Sequence, residues 1–287
     1  MRLMQNMSSQ RIYRQYQKSL VNQSKALKHI SSGEKFTKAG EAPNEIAKSE
    51  RMRLQIRGFQ MAQKNAQDGI SMMQTADGAL DSMTNTMQRV RELLVQAGNG
   101  ANSPEDKETI LNEVKQMIAG YDDIAKNSEF NGVSLFDPQD GANSVKMQIG
   151  ANAYENVKIE FYDLRAEDLK DLETGDSLNL NLIIESVKDN DLGSAIDQMD
   201  SVIKNLSDVR SKYGALANKF EECFEGLGEF EMATQAAESS IRDTDIAEEM
   251  MEFTQNNILI ESGNAMMVQS NKLPQEILRI LENVRSR

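Results

Sequence analysis

The sequence predicts a mainly α fold: an elongated antiparallel helical, coiled-coil rod with a small β-hairpin region and terminal helices that pair at one end. Three observations carry this. Two long segments keep apolar residues seven apart over many turns, the spacing of a helix seam. Only 5% of the chain is aromatic, with no Trp and 4 Pro against 17 Met, a composition that favours helices over sheets. Both ends carry broad apolar helical stripes that neither can bury alone.

Taken from the N-terminus, Tyr13, Tyr16, Leu20, Leu27 and Ile30 form a stripe interrupted by Gln23. SSGEKFTKAGEAPNE then breaks the pattern with Gly33, Gly40 and Pro43. The first seam runs Phe59, Ala66, Met73, Leu80, Met87, Leu94, and three residues after each stand Ala62, Gly69, Ala76, Met83, Val90 and Ala97. All are apolar or small, which implies a helix of about 50 residues, roughly 75 Å long at ~1.5 Å per residue. GNGANSPEDKE ends it. There Ser103 reads as an N-cap, Pro104 as the first helical residue and Asp106 as the capping-box acid. Ile110, Val114, Met117, Tyr121 and Ile124 share one face of the helix that follows.

FNGVSLFD, 130–137, reads as a turn-rich link. Beyond it Val145, Met147 and Ile149 alternate with polar residues, as do Val157, Ile159 and Phe161, giving two half-buried strands around the loop Gly150 to Asn156. The second seam runs Leu192, Met199, Leu206, Tyr213, Phe220, Leu227, Thr234, Ile241, with companions Ala195, Val202, Val209, Leu216, Cys223, Phe230, Ala237 and Thr244. From Ile246 the last helix is apolar over much of its circumference, through Met250, Met251, Phe253, Ile258, Leu259, Ile260, Met266, Met267 and Val268. Leu273, Ile277, Leu278, Ile280 and Leu281 extend that surface past Pro274. These breaks divide the chain into a terminal helical domain, 1–42 with 246–287, and a rod domain, 43–245, whose β region lies at about 130–165.

Composition excludes several function classes. A net charge of −13 and a pI near 4.7 argue against a nucleic-acid backbone or an anionic membrane surface as partner. One His and one Cys rule out a two-histidine zinc site, an internal disulfide and a multi-thiolate metal site. His29 reads as a surface or helix-end residue, and Cys223 as a small seam residue ringed by Glu221, Glu222 and Glu225 rather than a reactive thiol. The adjacent acids Glu248/Glu249 and Asp122/Asp123 point about 100° apart on a helix and cannot share a substrate. No phosphate-binding Gly-rich loop is present, so no enzyme and no cofactor are expected. The first twenty residues lack the apolar core of a secretory leader, and no apolar run is long enough to span a bilayer.

Five stretches resemble bacterial flagellins: NAQDGISMMQTADGAL (65–80), MQRVRELLVQAGNG (87–100), NSEFNGVSLF (127–136), MQIGAN (147–152) and IRDTDIAEEMMEFTQNNIL (241–259). They occur in the family's order along the whole chain. The short stretch between hairpin and second seam leaves no room for the family's variable outer domains, so the chain resembles a near-minimal flagellin. It departs from the family in ISSGEKF, in EAPNEIAKS and in the residues Glu282 to Arg287.

The resemblance implies an extracellular filament subunit for motility. It would be exported through the flagellum's own apparatus without a cleaved leader and self-assemble through terminal helices disordered in the free chain. The implied assembly residues are Tyr13, Tyr16, Leu20, Leu27, Ile30, Met250, Met251, Phe253, Ile258, Ile260, Met267, Leu278 and Leu281. Implied partners are further copies of itself, an export chaperone, a filament cap protein, a hook-associated junction protein and the innate immune receptor Toll-like receptor 5. Family positions carry the receptor contact to Arg89, Leu93 and Glu113, with Arg89 and Leu93 expected on one exposed face beside the seam. The competing readings are a hook–filament junction protein, which shares the terminal fold, and a generic helical adaptor.

Overall fold

Five long helices and two short hairpins follow one another in the described residues of the computed structural model: 6–137, 144–167 and 192–285, with single positions 169, 178, 180 and 183. Beyond Leu273 the side chains of Gln275, Glu276 and Arg279 are described. The elements are α1 (Met7–Ser32), α2 (Pro43–Ala97), α3 (Pro104–Asn127), β1 (Glu129–Phe130), β2 (Val133–Ser134), β3 (Ser144–Gln148), β4 (Asn156–Glu160), α4 (Leu192–Arg242) and α5 (Ile246–Arg285). The chain divides into two compact units: Met1–Leu54 with Ala233–Arg287, and Gln55–Met232. The sequence breaks placed the division at 42/43 and 245/246. It falls further in because Ser49, Glu50 and Arg53 at the start of α2 are tied to Glu238 and Arg242 at the end of α4.

In the second unit α2 and α4 run antiparallel. Arg91 pairs with Asp200 at 2.6 Å, Arg210 with Asp77 and Asp81 at 2.6 and 2.9 Å, and Gln60 donates to Glu231 at 2.7 Å. Each pair advances on α2 as it retreats on α4. Both seams lie between these ties. On α2 every seam residue is buried except Phe59, which is half-buried and stacks on Phe230. On α4, Ala195, Met199, Val202, Leu206, Val209, Tyr213, Phe220 and Leu227 are buried, while Leu216 and Cys223 are half-buried and Phe230 is exposed. Gly69 is a point of close approach: a Cβ there would stand 3.2 Å from the Phe220 ring of α4 and 2.9 Å from Met147 Sδ of β3.

The start of α3 has the expected cap. Ser103 accepts from the Asp106 backbone and Asp106 accepts from the Ser103 backbone, with Pro104 at the first helical position. Ile110, Val114, Ile118, Tyr121 and Ala125 form its buried stripe, flanked by half-buried Met117 and Ile124. Strands β3 and β4 pair antiparallel with Val145 opposite Ile159 and Met147 opposite Val157, so one face packs into the core. The stretch expected as a turn-rich link contains a second hairpin, β1–β2. Asn131 and Gly132 both hold positive φ (52° and 79°), the conformation a two-residue hairpin turn demands. The Asn-Gly pair was the local signal for it.

The first unit is closed by the loop after α1. Gly33, at φ 71°, ends α1 in the left-handed conformation. The chain then pairs with the end of α4: Lys35 N–H donates to Arg242 C=O at 2.7 Å and Thr244 N–H to Gly33 C=O at 3.0 Å. In the same loop Glu41 accepts from Thr37 N–H at 2.9 Å and from Lys38 N–H at 3.3 Å, with Lys28 Nζ at 3.4 Å. Those hydrogen bonds, the Thr37 amide foremost, lower its pKa from an ordinary 4.5 to about 2. A depressed carboxyl adds stability above its ordinary titration range and loses it as pH falls through the folded value. We therefore expect Glu41 to remain ionised at pH 3 in the folded chain, its carboxyl carbon shift titrating near pH 2 by NMR. A midpoint near 4.5 would mean the loop does not hold this geometry.

Candidate functional site

The paired terminal helices carry the surface with the most unusual chemistry. They run antiparallel: Asn6 donates to Ser270 C=O and Oγ at 3.0 and 3.2 Å, Ser9 Oγ to Asn271 at 3.2 Å, Gln23 to Asn257 at 3.2 Å, and His29 Nδ1 meets Glu249 at 2.8 Å. On α5 the residues turned to α1 are Glu249, Asn256, Gly263 and Ser270, seven apart, with half-buried Phe253, Ile260 and Met267 between them. On α1 the matching rows are Ser9, Tyr16, Gln23, Ile30 and Ile12, Ser19, Ala26. Gly263 lies against Tyr16, the ring 3.6 Å from where a Cβ would stand. The seam thus mixes small and polar groups with half-buried Ile12, Tyr16, Ile30, Phe253, Ile260 and Met267, and among its buried members are Ser19, Ala26, His29, Asn256 and Ser270.

A second set of apolar residues points away from the seam. On α1, Tyr13, Leu20 and Leu27, seven apart, are exposed. On α5, Leu259, Met266 and Leu273 form one exposed row, and Met251 (68% exposed) and Ile258 (61%) lie on another. Met250, Met251, Thr254, Gln255, Ile258 and Leu259 line a shallow hollow.

The predicted assembly residues therefore fall into three groups. Tyr13, Leu20, Leu27, Met250, Met251 and Ile258 are exposed; Tyr16, Ile30, Phe253, Ile260 and Met267 are half-buried in the α1–α5 seam; the side chains of Leu278 and Leu281 lie outside the described residues. His29 is in the last turn of α1, as expected for a helix-end residue. It is buried rather than at the surface, because Glu249 and the seam cover it.

Arg242 organises the junction between α4 and α5. Its guanidinium donates to Glu34 at 2.9 Å, Glu50 at 3.1 Å and Ser49 at 3.2 Å. Asp245 caps α5 by accepting from Ala247 N–H at 2.8 Å, and Thr244 Oγ1 donates to Glu249 at 3.3 Å. The run IRDTDIAEE is thus a joint: one arginine ties three segments and two short polar side chains start the next helix.

Of the residues expected at a receptor contact, Arg89 is exposed and Glu113 half-buried, the two paired at 3.3 Å, and Arg89 also meets Glu92 at 3.0 Å. Leu93 corrects the expectation of an exposed face: it is 1% exposed and part of the core. The reason is α3, which the Arg89–Glu113 pair places along this flank of α2. Met72, Ala79, Thr86 and Leu93 make a further heptad row there, from buried to half-buried, which stepping by sevens from Met72 would have found. Among the described residues no group of His, Cys, Asp and Glu could hold a metal ion, and no helix is long and apolar enough to cross a membrane.

Comparison with known proteins decides the family. Residues 3–140 match the model of the bacterial flagellin N-terminal helical region and residues 196–281 that of the C-terminal helical region. The chain belongs to the flagellin family. A flagellin of Halalkalibacterium halodurans is 40% identical over 90% of this chain and 91% of its own. The flagellar filament 31.3 kDa core protein of Treponema maltophilum is 37% identical over 91% and 92%. A solved structure assigned to a flagellar hook-associated protein of Vibrio parahaemolyticus, 11% identical, covers 71% of this chain and 100% of its own with TM-score 0.61, a likeness of fold. Flagellins are structural proteins, not enzymes, in accord with the lone histidine and the lack of a phosphate loop.

Proposed function

We propose that this flagellin is a self-assembling subunit of an extracellular flagellar filament, polymerising through the outward faces of α1 and α5. One observation carries the reading: with the terminal helices paired, Tyr13, Leu20 and Leu27 on α1 and Met251, Ile258, Leu259, Met266 and Leu273 on α5 stay exposed in rows. Exposed apolar rows of this extent mark an interaction surface. An adaptor that paired its ends for its own stability would be expected to place those rows in the pairing seam. Export through the flagellar apparatus, a chaperone for the C-terminal helix, a cap protein at the growing tip and a junction protein at the base complete the reading.

The test is seeded growth. Short sheared filaments are added to purified chain, and light scattering and electron microscopy follow elongation. Long filaments support the reading. Chains that decorate filament ends without extending them would make this a junction protein, and chains that ignore the seeds would make it an adaptor.

Recognition by Toll-like receptor 5 is proposed for exposed Arg89 and half-buried Glu113, with Leu93 acting from beneath as support. An ion pair on a rigid helical surface offers charge to a partner without disturbing the core. Arg89→Ala with Glu113→Ala is expected to weaken receptor binding by about tenfold with an unchanged melting temperature. Leu93→Ala is expected to lower stability by about 2–5 kcal/mol, so its effect on binding tracks unfolding. Unchanged binding by the double variant at full receptor occupancy would remove this site from the proposal.

A further inference from the structure

We propose that Met250, Met251 and Met266 form a site of oxidative modification, through which a peroxide arrests subunit addition. The arrest, though not the modification, rests on the assembly reading above. Among the described methionines exposure ranges from full burial to 68%. Met72, Met73, Met83, Met87 and Met199 are buried in the core of the second unit. Met250, Met251 and Met266 are 46%, 68% and 49% exposed on the outward faces of α5, and the first two line its hollow beside Ile258 and Leu259. Met267, the immediate neighbour of Met266, is half-buried toward α1 and serves as an internal contrast.

The chemistry needs only access to sulfur. A thioether lone pair attacks one oxygen of hydrogen peroxide, the O–O bond breaks, and the leaving hydroxide takes a proton and departs as water. Sulfur is oxidised by two electrons to the sulfoxide and the peroxide is reduced. Reversal by a thiol-dependent sulfoxide reductase returns the thioether, with two thiols becoming a disulfide and the oxygen leaving as water. The product is polar and strongly hydrogen-bond accepting where a flexible apolar side chain had been. On a face that must be dried by a neighbouring subunit, three such groups oppose burial. The α1–α5 seam, built from Asn256, Gly263, Ser270 and their partners, contains none of the three sulfurs, so the fold of the free chain is left intact.

The experiment treats the full-length free chain with hydrogen peroxide, maps sulfoxides by peptide mass spectrometry and measures seeded elongation. Three outcomes are expected: sulfoxide at 250, 251 and 266 ahead of the core methionines, elongation slowed at least tenfold at unchanged helical content, and recovery after reductase treatment. The variant Met250→Leu/Met251→Leu/Met266→Leu should elongate and resist peroxide, whereas Met7→Leu/Met61→Leu/Met232→Leu, which removes the other exposed methionines among the described residues, should remain sensitive. The proposal is overturned if oxidised chain elongates at the untreated rate, if the first variant stays sensitive, or if core methionines oxidise as fast as the exposed three. Failure of the untreated chain to elongate would count against the assembly reading instead, and the sulfoxide map would then decide the modification alone.

Discussion

Replacing Phe220 with alanine is expected to lower the unfolding free energy of the second unit by about 3–5 kcal/mol, among the largest losses available to a single truncation in a packed core. Phe220 is fully buried on the α4 seam and faces the notch on α2 left by Gly69. Ring, notch and Met147 of strand β3 fill one space, so removal of the ring opens a cavity that two helices and a strand would have to collapse together. Gly69→Ala stresses the same space from the other side. Its Cβ would sit 2.9 Å from Met147 Sδ and 3.2 Å from the ring, so the thioether end must move and the ring must give. That variant should cost about 1–3 kcal/mol, the overpacking range. The two changes are in contact and should not add. Phe220→Ala combined with Gly69→Ala is expected to be more stable than the sum of the single losses by about 0.5–3 kcal/mol, the usual range of coupling between touching residues. Urea unfolding followed by circular dichroism measures all four corners of the cycle. Strict additivity would mean that Gly69 and Phe220 do not share a packing space.

Sequence periodicity made the second unit legible because its energetics follow the rule that periodicity reports. A seam that buries apolar side chains leaves apolar letters seven apart, and from Ala62 to Ala97 and Ala195 to Leu227 the chain obeys. The cap at Ser103 and the strand alternation at Val145 to Phe161 were readable for the same reason: each is a local pattern with a local cause. Leu93 was misread because one helix can carry two seams. Once the Met87/Val90/Leu94 row was assigned to α4, the neighbouring row had no visible partner, and only the placement of α3 revealed one.

The terminal helices invert the usual inference. Their sequence advertises apolar stripes, and the natural deduction is that those stripes face each other. Instead the most deeply buried seam positions are Ser19, Ala26, Asn256 and Ser270, small or polar residues, and the hydrogen bonds across the seam run from Asn6 to Ser270 and from Gln23 to Asn257. Tyr16, Ile30, Phe253, Ile260 and Met267 were drawn partly into that seam, and periodicity alone could not say which side of a widely apolar helix they would take. His29 shows the same effect at one residue. Its place at a helix end was readable, but its burial depends on Glu249, distant in sequence and brought near by antiparallel pairing. The ends hold each other, yet the pairing leaves apolar rows bare.

That division between seam and outward row makes the second large effect specific. Met251→Glu with Ile258→Glu is expected to raise the critical concentration for seeded elongation by roughly a hundredfold or more. Each apolar side chain buried by a neighbouring subunit is worth about 1.5–3 kcal/mol, and placing a carboxylate in that dried contact adds a desolvation cost. With ~1.4 kcal/mol per factor of ten, two such positions reach a hundredfold before the charge is counted. The same variant should keep its helical content and its melting temperature, because both residues are exposed and neither takes part in the hydrogen bonds joining α1 to α5. Asn256→Leu provides the opposite disturbance. Asn256 is buried in the seam and donates to Glu252 C=O at 2.9 Å, so the variant should alter the pairing of α1 with α5 while leaving the outward rows chemically unchanged. Light scattering for elongation and circular dichroism for the free chain separate the two. If the glutamate pair elongated like the unaltered chain, the exposed rows would have no part in subunit addition, and the surface that joins one copy to the next would have to lie elsewhere on the molecule.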